Sequence, residues 1–407
     1  MYLVPTIWYL MVCVMTENPR LIRALEILAR GNQITRVSNS YYRVRSQSNL
    51  EKLYTVQHAE GRWACDCPDF AFRFADKIAA FGADGFNSCK HCLSVMWSLR
   101  LRRQVANETI RTEVPSVTFD VCRFCGGKKL VKRGTRHSVQ RFRCLDCGKW
   151  LTFNYGFERR HYSPEAITAA LDLYFKGVSY RNIADHMKQF FGKKPSPSAI
   201  HKWLVAYTKI ASRYVGQFKP QVGGFIHVDE TKVNVNGKLD WLWNLMDADT
   251  RFWVSSLITK GRTTEDARAV FQDAKAKLPF MPKAVAHDGL ESYTEAFRKE
   301  FYRQRGRRTY ELRSISIRER GKNNRVERLH NTLKDRLKTQ RALDNDASAQ
   351  VMVDAIKLNY NFARPHMALN GQTPAEAAGL DLQLNGNRWR QLIQQSAIRE
   401  QKLKSAT

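Results

Sequence analysis

The spacing of apolar residues changes period several times along the chain. Leu21, Ile22, Leu25, Ile27 and Leu28 recur at helical spacing between Pro19 and Gly31, whereas Tyr41 to Val44 and Lys52 to Val56 alternate as strands do. Three short helices are predicted further on. Ser163-Pro164 opens the first, with Ile167, Ala170, Leu171, Tyr174 and Phe175 inward; Ser179 caps the second over Ile183 and Met187; Ser196-Pro197 opens the third, over Ile200, Trp203, Leu204 and Tyr207. From Phe225 the period returns to two. Phe225 to Val228, Asp240 to Met246, Phe252 to Ile258 and Ala284 to His287 read as strands, with a helix from Thr264 to Lys277. Val326, Leu329, Leu333 and Leu337 mark another helix, with Asn323 or Asn324 placed to cap it, and Arg388 to Lys404 reads as a basic, helix-prone tail.

Three acids stand out against this pattern. Strand alternation puts Phe225, His227 and Asp229 on one face; Asp288 ends an apolar run just before Gly289; Glu327 shares a helix side with His330 and Asn331. Most of the 38 Asp and Glu must simply be solvated, and Glu230, Asp247, Asp249 and Glu319 read as neighbours of that kind. An apolar strand is a different setting. There an unpaired carboxylate costs several kcal/mol, and a bound cation removes the cost.

The cysteines fall into two sets. Cys65-x-Cys67 and Cys89-x-His91 offer one group of zinc-type ligands, and Cys122-x2-Cys125 with Cys144-x2-Cys147 offers another at zinc-ribbon spacing. Cys92 and Cys13 are left over, the first expected to be buried by the helix it begins and the second inert. The ribbon loop carries Lys132, Arg133, Arg136, Arg141 and Arg143 without an acid, and a second basic stretch brackets Glu327. Over all 407 residues the net charge is +29, which draws the protein to polyanions, nucleic acid first. Met1 to Met15 is uncharged but too short to span a bilayer and lacks the features of a signal peptide, so no membrane partner is expected; the sequence leaves Met1 and Met15 both open as the start of synthesis.

Ordered motifs then add a resemblance. "HVDET" around Asp229, "AHDG" around Asp288, "NNRVERLHNTLKDR" around Glu327, and the later "NYNFARPH" and "TPAEAA" together resemble the catalytic region of DDE-type insertion-sequence transposases and retroviral-type integrases, over Gly224 to Leu380. The Cys-x-Cys…Cys-x-His order resembles the SWIM zinc finger, and the three short helices look like a helix-turn-helix. The implied fold is multidomain α/β. A ribonuclease-H-like core with a mixed five-stranded sheet (222–380) would follow a SWIM-type module (15–105), a zinc ribbon (119–155) and a helix-turn-helix domain (160–216), and precede a basic tail (381–407).

By the same resemblance Asp229, Asp288 and Glu327 are the catalytic carboxylates, holding two Mg2+ or Mn2+, while the two cysteine sets hold structural Zn2+. The implied activity is cleavage at transposon ends followed by 3′-OH strand transfer into target DNA. His201, Lys202 and Lys209 would contact DNA from the helix-turn-helix, and Arg325, Arg328, His330, Asn331 and Lys334 from the Glu327 helix. The partners implied are double-stranded DNA and at least one further copy of the chain, in a prokaryotic cytoplasm at the nucleoid. The competing reading is a zinc-dependent DNA-binding regulator derived from a transposase, without catalytic activity.

Overall fold

The computed structural model describes residues 19–30, 33–49, 51–59, 62–74, 88–108, 121–136, 139–158, 160–222, 224–302, 309–313, 324–337, 343 and 345–406, with only the backbone for 101–108, 136, 324 and 401–406. Cys13 and both candidate starts, Met1 and Met15, lie outside them, as do the side chains of Asn323 and Asn324.

Helix α1 (Pro19–Ala29) buries Leu21, Leu25 and Ile27 as expected, together with Ala24 and Ala29, while Ile22 is exposed and Leu28 half-buried. Four antiparallel strands follow in sheet order β1-β2-β3-β4: Ile34–Arg36, Tyr41–Arg45, Leu53–Ala59 and Arg62–Cys65. Tyr42, Val44 and Val56 face a small core shared with Cys65, Cys67, Cys89 and Cys92. Helix α2 (Pro68–Arg73) is capped by the Cys67 thiol, and α3 (Lys90–Glu108) begins between Cys89 and His91. Cys92 is fully buried, as its helix position suggested.

Next comes a three-stranded ribbon, β5 (Leu130–Arg136), β6 (Val139–Cys144) and β7 (Trp150–Leu151). Each cysteine pair sits on a tight knuckle. Gly126 and Gly148 take positive φ there, +75° and +69°, and donate to the carbonyls of Cys122 and Cys144. The helical unit is α4 (Pro164–Phe175), α5 (Tyr180–Phe191) and α6 (Pro197–Val215), capped by Ser163, Ser179 and Ser196 as the sequence indicated.

The central sheet contains β8 (Phe225–Val235), β9 (Lys238–Asp247), β10 (Trp253–Thr259), β11 (Ala284–His287) and β12 (Tyr310–Arg313), ordered β10-β9-β8-β11-β12. The first three strands form an antiparallel meander; β11 runs parallel to both β8 and β12. Helices α7 (Thr264–Lys277) and α8 (Glu291–Glu300) contribute Phe271, Tyr293 and Phe297 to the core beside Val228, Trp243 and Val285. The opposite face of β8 carries Phe225, His227 and Asp229. It is covered by α1 and by α9 (Asn324–Leu337).

Helix α10 (Asp346–Leu358) runs into a π-helical turn, Asn359–Ala363, which contains the "NYNFA" of the carboxyl-terminal motif. Widening the helix there lets Asn361 reach the bulged start of β10. Its Oδ1 accepts from the Trp253 N–H at 2.9 Å and its Nδ2 donates to the Trp253 carbonyl at 3.0 Å, so the side chain acts as a short piece of neighbouring strand. Asn361→Leu would strand both backbone groups in the core. A loss of about 2–4 kcal/mol is expected in denaturant unfolding, from two buried groups at about 1–3 kcal/mol each; a change under about 0.5 kcal/mol, the usual size for surface substitutions, would refute the clamp.

After the short α11 (Pro374–Ala377), helix α12 (Arg388–Ala406) corrects the expectation of a basic tail. Trp389, Leu392, Ile393, Ala397 and Ile398 are buried, and the Trp389 ring stacks on Phe175 of α4 at 5.1 Å. The Tyr214 hydroxyl of α6 donates to Gln395 at 3.1 Å. Buried Gln394, Gln395 and Ser396 interrupt the apolar face, which is why the sequence pattern looked like a tail.

Candidate active site and metal centres

Asp229 leaves the middle of β8 with its side chain 16% exposed, and Asp288 is the first residue after β11, 44% exposed. Their carboxylates and that of Glu230 place one oxygen each within 4.8 Å of one another, a spacing that would suit a cation. Glu230 was set aside in the sequence as a strand neighbour. Its side chain is 3% exposed, ion-paired with Arg262 and hydrogen-bonded by the Tyr293 hydroxyl, so both its oxygens are engaged. Arg262 also lies 3.9 Å from Asp288 and stacks over Trp241. The sequence signal for it was weak: a lone arginine just before the Thr263 cap of α7.

Glu327 is exposed in the first turn of α9 and lies outside that three-carboxylate cluster. It is near enough for its charge to act on Asp229. Burial, then the charges of Glu230 and Asp288, push the Asp229 carboxyl up to about 8; the Glu230 N–H opposes the shift and Glu327 adds to it. Negative charge has been concentrated where the fold gives it too little compensation. Hard carboxylate oxygens in such a place fit a divalent cation of the magnesium type.

His330 and Arg325 correct two expected DNA contacts. His330 is buried, its Nδ1 3.6 Å from Asp229 and its Nε2 3.1 Å from the Asn244 amide, and burial followed by the Lys334 charge pulls it down to about 4. It is a neutral ring facing an acid, not a cation facing a phosphate. Arg325 turns inward and donates to the Arg30 carbonyl at 3.4 Å. Arg328, Asn331 and Lys334 are exposed, as are Lys132, Arg133, Arg143, Lys202 and Lys209. Arg141 is half-buried over the Trp150 ring, and His201 is half-buried with its Nδ1 3.2 Å from the Tyr180 hydroxyl. The Arg136 side chain lies outside the described residues.

Both cysteine sets converge. Cys65, Cys67, Cys89 and His91 form one group and Cys122, Cys125, Cys144 and Cys147 the other, each with ligand atoms within 4.8 Å of one another. In the ribbon the Cys122–Cys147 and Cys125–Cys144 sulfur pairs are both 3.6 Å apart. A tetrahedral ion with Zn–S bonds of about 2.3 Å sets an edge of about 3.8 Å, so the spacing fits zinc. In the first group Cys65 Sγ is 4.0 Å from His91 Nδ1.

A meander of three strands continued by two parallel ones, with an acid on the central strand and another just after its parallel neighbour, defines a ribonuclease-H-like core. Residues 224–366 match the family model described as a DDE domain. No curated protein matches the chain.

Among solved structures it is similar to the HTLV-2 integrase catalytic core domain in complex with magnesium, at 15% identity over 39% of this chain and 97% of that one, with a TM-score of 0.29. It is also similar to the simian T-cell lymphotropic virus intasome in complex with a PP2A regulatory subunit, at 13% identity over 51% and 74%, TM-score 0.32. The catalytic core domain of BIV integrase shows 15% identity over 38% and 93%, TM-score 0.27. No helix among the described residues is long and apolar enough to cross a membrane.

Proposed function

We propose that the chain cuts DNA at the ends of a mobile element and joins the freed 3′-OH to target DNA. The observation that carries this reading is the Asp229–Asp288 pair on a DDE domain, with Asp229 pushed up by burial and by its acidic neighbours. Asp229 and Asp288 are the open ligands, because Glu230 is tied to Arg262 and Tyr293. Glu327, exposed on the same side, is the third ligand. Two bound magnesium ions would activate the attacking oxygen and stabilise the leaving one. The protein's own share is to hold Asp229 on a rigid strand, shielded from solvent, with His330 backing it.

The exposed cations Arg328, Lys334, Lys202 and Lys209 meet the phosphate backbone, and the two cysteine sets hold structural zinc. Joining two element ends calls for at least two copies of the chain.

The test is magnesium-dependent cleavage of duplexes carrying the DNA that flanks the gene. Cleavage leaving a 3′-OH is expected; tight binding without nicking would instead favour a regulator.

Ion binding also has a pH signature. The unfolded chain ionises Asp229 above about pH 4, whereas the folded one, free of cations, keeps the proton until about 8. Raising pH through that window therefore costs the ion-free fold stability, and a cation that binds the carboxylate offsets the cost. Magnesium is expected to raise the melting temperature more at about pH 8 than at about pH 5. Equal shifts at both would separate the ion from Asp229.

A further inference from the structure

We propose that the amino-terminal module is the floor of the active site, and that the carboxyl-terminal end of α1 positions the two elements carrying Asp229 and Glu327. This rests on the carboxylate assignment above.

Helix α1 belongs to two cores. Ile27 packs with Cys65, Cys67, Cys89 and Cys92 in the module, while Leu21, Leu25 and Ala29 pack against Phe225, Ala248, Ala284, Ala286 and Leu312 of the catalytic sheet. Alanines at 248, 284 and 286 leave room for a helix to lie close to the sheet. A second strap lies beside the first: the Lys283 ammonium sits between the Trp97 ring of α3, at 4.0 Å, and the Tyr310 ring of β12, at 4.9 Å. The module therefore covers the same sheet face that carries Asp229.

The last turn of α1 does something more specific. The Ala29 carbonyl accepts from His227 Nε2 at 3.0 Å, and the Arg30 carbonyl accepts from Arg325 Nη2 at 3.4 Å. Helix carbonyls at this end have no partner within the helix and carry partial negative charge, so they suit a ring N–H and a guanidinium. His227 lies two residues before Asp229 on the same strand face, and Arg325 two residues before Glu327 in the first turn of α9. One helix end thus fixes the approach of α9 to β8, and with it the gap between Glu327 and the two aspartates. Arg325 is a positioning residue: it touches the α1 backbone, and it sets where Glu327 stands.

The experiment compares full-length Arg325→Met, Arg325→Lys and Leu25→Ala with the parent. For Arg325→Met the kcat for end cleavage is expected to fall about tenfold to a hundredfold, the usual cost of a 1 Å misplacement. The magnesium needed for half-maximal stabilisation rises with it, while KM for the DNA stays within about twofold, as for a change that leaves ground-state binding alone. Arg325→Lys, which keeps a donor for the Arg30 carbonyl, recovers most of the loss. Leu25→Ala, which removes an apolar contact between α1 and the sheet, gives the same signature and speeds amide exchange in residues 324–337.

A raised KM with kcat and magnesium response unchanged would make Arg325 a DNA contact and overturn the proposal, as would parental magnesium response and exchange in both Arg325→Met and Leu25→Ala. A parent that cuts no DNA would sink the functional reading instead. The exchange and magnesium measurements would still decide this one.

Discussion

Asp288→Asn is expected to reduce magnesium-dependent end cleavage by on the order of 10³-fold or more, because on the proposed reading several kcal/mol of transition-state stabilisation would pass through an ion held by this carboxylate. Fold and DNA binding should survive. Asparagine keeps the shape of the side chain and the oxygen that accepts the Leu290 N–H at 3.0 Å. The charge lost is 44% exposed, and its contact with Arg262 at 3.9 Å is a weak one. Binding of the end duplex, measured at a fixed salt concentration, is expected within about threefold of the parent, because the substitution leaves every exposed cation in place. Cleavage within about tenfold of the parent would remove Asp288 from the chemistry, since losing a true ion ligand costs far more.

The second large effect concerns zinc. Among the described residues of the ribbon only Cys122, Cys144 and Leu151 are fully buried, with Leu130, Phe142, Cys147 and Phe153 packed beside them. So few apolar groups cannot hold three strands together unaided, and structural zinc supplies about 10 kcal/mol or more at neutral pH. The full chain should carry about two zinc ions by the four-ligand rule. Cys144→Ser should lose one of them and open residues 121–151 to proteolysis. Zinc near zero in the parent would overturn both sites; a Cys144→Ser chain as resistant as the parent would overturn the ribbon site.

What could be read from the sequence was what local period and spacing encode. Strands β8 to β11, helix α7 and the serine caps follow from alternation and turn chemistry, and the two cysteine sets from ligand spacing. Asp229 and Asp288 were legible because each ends or interrupts an apolar run. The residues that surround them were not, since their partners lie far along the chain. Glu230 meets Arg262 across 32 positions and Tyr293 across 63. His330 and Arg325 looked like phosphate contacts because helical spacing gives a face but not what covers it; Asn244 and the end of α1 cover these two. Asn361 belonged to a recognised motif, yet its contribution is a pair of bonds to the Trp253 backbone, visible only once the π turn is seen.

The way α12 closes against α4 and α6 bears on how the protein is made. Gln395 and Trp389 reach Tyr214 and Phe175, which precede them by about half the chain. On the ribosome, the three-helix unit emerges early but waits for residues 388–406 before its apolar flank is covered. A chain cut short ahead of that segment therefore leaves the flank around Phe175 and Tyr214 open to water.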